Sequence, residues 1–194
     1  MKKLLFIDCC IRKEESRTKI LADYFLENVD HKEYEIELLS LMDLDLMYLN
    51  TKSLATRDRL IELGELNHPR FNYAHQFQEA FKIVIASPFY DLSIPALLKV
   101  YIENCTVDGI TFKSTENGLI GLCKADHMLY LTTRGGIMEG SPLEMATSYL
   151  DGMCKFLGID RFSYVYADGM DMPLEKEKLL NEAKKKIDLE LKSL

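Results

Sequence analysis

No apolar run in this chain approaches the length needed to cross a bilayer. Leu4-Leu5-Phe6-Ile7 stops at Asp8, too short even for the apolar core of a signal peptide, so a cytoplasmic protein with no membrane partner is expected. Basic blocks are missing as well. Lys and Arg total 24 against 31 Asp and Glu, a net charge of -7 that no local cluster offsets, which argues against nucleic-acid binding. The five cysteines, Cys9, Cys10, Cys105, Cys123 and Cys154, show no C-x-x-C spacing and no nearby paired histidines. Neither a disulfide scaffold nor a metal site is suggested. Joining the adjacent Cys9 and Cys10 would demand a distorted peptide, so buried or loop thiols are expected there. The phosphate-loop and dinucleotide fingerprints G-x-x-x-x-G-K-[ST] and G-x-G-x-x-G are absent, which disfavours an NTPase or a Rossmann site. There is no G-x-S-x-G elbow, so phosphodiester hydrolysis is also disfavoured. Without internal repeats or low-complexity linkers, the 194 residues read as one domain spanning 1–194.

What is present is a steady alternation of short apolar runs and longer amphipathic stretches, the pattern of strand-helix-strand units around a mainly parallel sheet. Five strands are expected over Lys3–Cys9, Tyr34–Leu39, Lys82–Ala86, His127–Thr132 and Phe162–Ala167. Helices are expected over Thr18–Asn28, Leu54–Gly64, Ala74–Ala80, Ile94–Cys105, Leu143–Leu157 and Leu174–Leu191, with Gly158 as a stop signal. Gly109, Asn117-Gly118 and Gly121 make a hairpin the expectation for Asp108–Leu122.

In an open parallel sheet, ligands bind beyond the carboxyl ends of the strands, so the loops there carry the functional reading. The first, Cys9 to Thr18, offers the hydroxyls of Ser16 and Thr18, free amides at a helix start and the charge of Arg17. That combination suits a phosphate monoester, although a serine cap with surface charges would read the same way. The second, Ser87 to Pro95, sets Phe89 and Tyr90 between Pro88 and Pro95, an apolar ledge for a planar heterocycle or simply a lid on the core. The third, Thr132 to Ile137, places Gly135-Gly136 where backbone amides can approach a flat ligand, with Arg134 bonding or stacking at its rim. His31, His68, His75 and His127 fall outside these loops and are assigned surface or packing roles.

Taken in order, Ser16-Arg17-Thr18, Ser87-Pro88-Phe89-Tyr90-Asp91-Leu92, Gly109-Ile110-Thr111-Phe112 through Glu116-Asn117-Gly118, Thr133-Arg134-Gly135-Gly136 and Phe156-Leu157-Gly158-Ile159 resemble the FMN-dependent NADH azoreductases, within the flavodoxin-like NAD(P)H:quinone oxidoreductases, over nearly the whole chain. The resemblance implies a flavodoxin-like α/β three-layer sandwich, with a five-stranded parallel sheet of order 2-1-3-4-5 and helices on both faces. It implies that Ser16, Arg17 and Thr18, with a contribution from Cys10, hold the phosphate of FMN. Pro88, Phe89, Tyr90, Asp91 and Leu92 would cradle the isoalloxazine, and Thr133, Arg134, Gly135 and Gly136 would meet its polar edge. Phe112 matches a position near the substrate pocket. A homodimer is implied, with NADH or NADPH as donor and a quinone, azo or nitro compound as the small-molecule acceptor, and with no obligatory protein acid or base because the flavin carries the chemistry. Two departures stand out: Cys9 and Cys10 replace usual serines, and Asp91 replaces a usual asparagine. A flavodoxin-like electron carrier or flavin-dependent sensor with little NAD(P)H turnover is the alternative.

Overall fold

The computed structural model describes residues 1–194. Strands β1 (Lys2–Asp8), β2 (Tyr34–Ser40), β3 (Lys82–Ala86), β6 (His127–Thr133) and β7 (Arg161–Ala167) form one parallel sheet in the order β2-β1-β3-β6-β7. With the two hairpin strands β4 (Phe112–Thr115) and β5 (Gly118–Gly121) set apart as their own antiparallel pair, this is the expected 2-1-3-4-5 order. The central strands are near-continuous apolar runs because both sheet faces are covered. Successive side chains alternate between two cores: Leu5, Ile7, Ile83, Ile85, Met128 and Tyr130 face one way, and Leu4, Phe6, Val84, Leu129 and Leu131 the other.

Helices α3 (Asn72–Glu79), α4 (Ala96–Cys105) and α5 (Ala146–Leu157) cover the first face through Phe77, Leu98, Tyr101, Leu150 and Cys154. Helices α1 (Arg17–Asn28) and α6 (Lys176–Leu191) cover the second through Leu21, Phe25, Ala183 and Ile187. Helix α2 (Thr51–Glu62) contributes Leu60 and Ile61 to a smaller cluster around Phe71, Ala74, Val107 and Ile110. No helix is long and apolar enough to cross a membrane.

Several helix starts differ from the periodicity for local reasons. Helix α2 begins at Thr51 rather than Leu54 because Asn50 and Ser53 form a reciprocal capping box. Helix α4 begins after Pro95 rather than at Ile94, since residues 90–93 are taken up by a tight turn. Helix α5 begins at Ala146 because Leu143 lies in a winding loop, and the Glu144 carboxylate accepts the Thr147 amide to start the helix. It ends at Gly158, whose left-handed φ of 80° closes the last turn as expected.

Candidate functional site

Cys9 and Cys10 lie just past β1, where alternation sends their side chains to opposite faces of the sheet. Both thiols are buried and free, and burial raises the pKa of Cys9 to about 12 and that of Cys10 as well. The chain then makes a 3-10 turn at Lys13–Glu15 and enters α1 with Ser16 as N-cap. The Ser16 side chain makes no capping hydrogen bond, so the positive end of α1 is left for another acceptor. Thr18 is fully buried, and its Oγ1 lies 2.7 Å from Thr133 Oγ1, tying the first loop to the third.

Beyond β3, Ser87 N donates to Leu131 O (3.0 Å) and Phe89 N to Thr133 O (3.3 Å), which carries the sheet pairing into the second loop. Tyr90 and Ser93 then exchange backbone hydrogen bonds of 2.9 Å around Asp91 and Leu92, whose φ values of 48° and 68° define a two-residue left-handed turn. Two non-glycine residues in that region carry a conformational cost of about 1–2 kcal/mol each. Met145 N, donating to Leu92 O at 3.0 Å, helps hold the turn.

The third loop pairs with the segment after β7. Arg134 N donates to Ala167 O, Met170 N to Arg134 O, Asp171 N to Gly135 O and Gly169 N to Gly136 O, each within 3.0 Å. The ladder consumes the carbonyls of Gly135 and Gly136 while their amides take no protein acceptor. Arg134 does not extend to a rim: it is 2 % exposed, with its guanidinium between the rings of Phe89 (5.8 Å) and Tyr166 (4.5 Å). Glu144 at 3.6 Å and Asp168 at 3.4 Å flank its charge, while Nε and Nη2 make no hydrogen bond.

These loops converge on a cleft of about 160 Å³ at the carboxyl edge of the sheet. The cleft gathers Ser16, Arg17, Pro88, Phe89, Tyr90, Thr133, Arg134 and Gly135, together with Arg12, Glu15, Met170 and Asp171. Cys10 and Thr18 are buried beneath it. Asp91 lines an adjoining apolar cleft of about 780 Å³ that Tyr90 shares, with Ile94, Leu97, Met145 and Tyr149 around it. Leu92 is exposed on the same turn. Phe112 lies apart, packed on Phe156 with ring centroids 4.7 Å apart. Met170 and Asp171 went unread in the sequence. Their signal was positional: they follow the last strand of the sheet on the same edge as the other loops.

A family model of the flavodoxin-like fold matches residues 2–191. An FMN-dependent NADH:quinone oxidoreductase of Clostridium beijerinckii is 36 % identical over 187 residues, covering 94 % of each chain. One of Coprothermobacter proteolyticus, with the same description, is 35 % identical over 195 residues and 97 % of each chain. Among solved structures, an azoreductase from Bacillus anthracis superposes with a TM-score of 0.89 at 25 % identity over 100 % of both chains. The structure of an FMN-dependent NADH-azoreductase of the same species in complex with FMN shares the fold, with a TM-score of 0.84 at 24 % identity over 99 % of each chain. With the sheet order, the carboxyl-edge cleft and matches along nearly its full length, this chain belongs to the flavodoxin-like fold family that includes the FMN-dependent NADH:quinone oxidoreductases.

Proposed function

We propose that this chain, acting as a single domain, is an FMN-dependent oxidoreductase that takes electrons from NADH and passes them to quinone or azo acceptors in two successive half-reactions at one site. The observation that carries this reading is the convergence of the uncapped α1 start, the Pro88–Tyr90 ledge and the acceptor-free Gly135 and Gly136 amides on one sheet edge. The donor set fits a flavin mononucleotide. Ser16, Arg17 and the amides at the start of α1 would hold the phosphate. Phe89, Tyr90 and the Asp91–Leu92 turn would flank the ring, and the glycine amides would donate to its carbonyl edge. Bound FMN supplies the two-electron chemistry. The protein's own task is to position the ring and to exclude water, with Thr18 and Thr133 joining the two loops that build the site.

The test is reconstitution with FMN, followed by anaerobic bleaching of the flavin absorbance by NADH and steady-state turnover with menadione. A flavin that binds without NADH-dependent turnover would select the electron-carrier alternative. Arg17→Ala is expected to weaken FMN far more than riboflavin, which lacks the phosphate; titration by flavin fluorescence measures both. A homodimer completes the proposal, because the first cleft is small and the apolar second cleft beside it needs cover. Sedimentation at tens of micromolar is expected to show a dimer, and a fully active monomer would contradict it.

A further inference from the structure

The arginine at the start of α1, which faces the phosphate cleft, already has a partner. Arg17 Nη1 donates to Asp171 Oδ1 at 2.6 Å, linking the first turn of α1 to the segment after β7. That segment is pinned by Gly169, Met170 and Asp171 amides donating to the carbonyls of Gly136, Arg134 and Gly135, so the carboxylate is delivered by a fixed backbone. It presses on Gly135 closely enough that a β-carbon added there would lie 2.3 Å from Asp171 Oδ2. Asp171 therefore stands between the start of α1, which would receive the phosphate, and the glycine loop, which would meet the ring. Arg12 and Lys176 lie near enough to favour its ionised form alongside Arg17, which holds the carboxyl below its usual range.

A cation in the first turn of a helix faces the positive end of the dipole, so Arg17 gains from any anion placed beside it. Asp171 and a phosphate ester offer the same kind of contact, and two anions around one guanidinium repel each other. We propose that Asp171 is an internal competitor for the flavin phosphate, so that FMN binding exchanges one anionic partner of Arg17 for another. Asp171 thereby sets how strongly the chain prefers FMN over riboflavin. The inference rests on the FMN reading and concerns a residue outside the family motifs quoted above.

The experiment titrates the full chain, freed of bound flavin, with FMN and with riboflavin by fluorescence quenching. Wild type, Asp171→Asn, Arg17→Ala and the double variant are compared at fixed salt. Asp171→Asn is expected to tighten FMN by about fivefold, the scale of a partly exposed ion pair, and to leave riboflavin within about twofold. In the Arg17→Ala background the gain should fall below about twofold, since the partner being released is gone. Weaker FMN binding in Asp171→Asn would show instead that the carboxylate orients Arg17, and an unchanged affinity would show that it is a bystander. Either result overturns the proposal, as does equal tightening of both flavins. A wild-type chain that binds neither flavin overturns the FMN reading itself; one that binds FMN, with no gain in Asp171→Asn, overturns only the competitor role.

Discussion

At the residue scale, Arg134 has the least freedom of any charged group near the cleft. Its guanidinium is sandwiched by Phe89 and Tyr166, and Glu144 and Asp168 share its charge. Each carboxylate also anchors backbone: Asp168 Oδ2 accepts the Met138 and Glu139 amides at 2.8 and 2.9 Å, and Glu144 accepts the Thr147 amide and hydroxyl. Arg134 thus compensates two largely, though not fully, buried anions that shape the loop beyond β6. Replacing it with methionine keeps the bulk and leaves those anions unpaired, which costs about 3 kcal/mol. Urea unfolding measures this as a lower midpoint, and FMN affinity should fall with it because the loop loosens. A Lys variant is expected to rescue only part of the loss, since an ammonium cannot stack as a planar guanidinium does. Here the sequence was legible only halfway. Arg134 and its place after a buried strand could be read, but its inward direction depends on Tyr166, Glu144 and Asp168, which are remote in the chain.

At the element scale, the hairpin β4–β5 is fastened to the end of α5 by close backbone contact as well as by the packing of Phe112 on Phe156. A β-carbon on Gly121 would meet Gly158 N and Leu157 C at 2.1 Å, and Cys123 N donates to Leu157 O at 3.1 Å. Gly121→Ala forces these elements apart and is expected to cost about 1–3 kcal/mol, as overpacking does. Thermal unfolding gives the loss, and faster amide exchange confined to 112–121 would locate it. Strand identity, the hairpin and the Gly158 stop were all legible because each is written locally, in apolar runs and turn residues. Helix starts were less so. The capping box at Asn50 and Ser53 and the Glu144–Thr147 contact extend or delay helices without altering their apolar period. The left-handed turn at Asp91–Leu92 was hard to read for a related reason: Asp tolerates positive φ but Leu gives no such signal, and pairing with Tyr90, Ser93 and Met145 sustains the turn.

At the scale of the whole molecule, the two edges of the sheet differ in kind. The carboxyl edge carries the clefts, while the amino edge carries a partly buried polar network in which His127 Nε2 lies 2.8 Å from Ser163 Oγ and Ser163 donates to Glu190 of α6 at 2.8 Å. Burial, with the charges of Arg161 and Lys82, lowers the His127 pKa from 6.5 to about 4. Between those values the unfolded chain takes up a proton that the folded chain does not, so stability falls as pH drops through this window and is retained above it. The full loss approaches about 3 kcal/mol, and His127→Gln should flatten that part of the slope in urea unfolding at pH 7, 5.5 and 4.5. His127 and Thr133 open and close the same strand, β6, which places the network about 20 Å from the cleft at about 3.3 Å per residue. Over that span a unit charge is felt at under about 1 kcal/mol for an effective dielectric of 20 or more. Strand β6 therefore acts as an electrical spacer. A bend in a pH–rate profile between about 6.5 and 4 that disappears in His127→Gln would be a record of chain opening rather than of proton transfer during turnover.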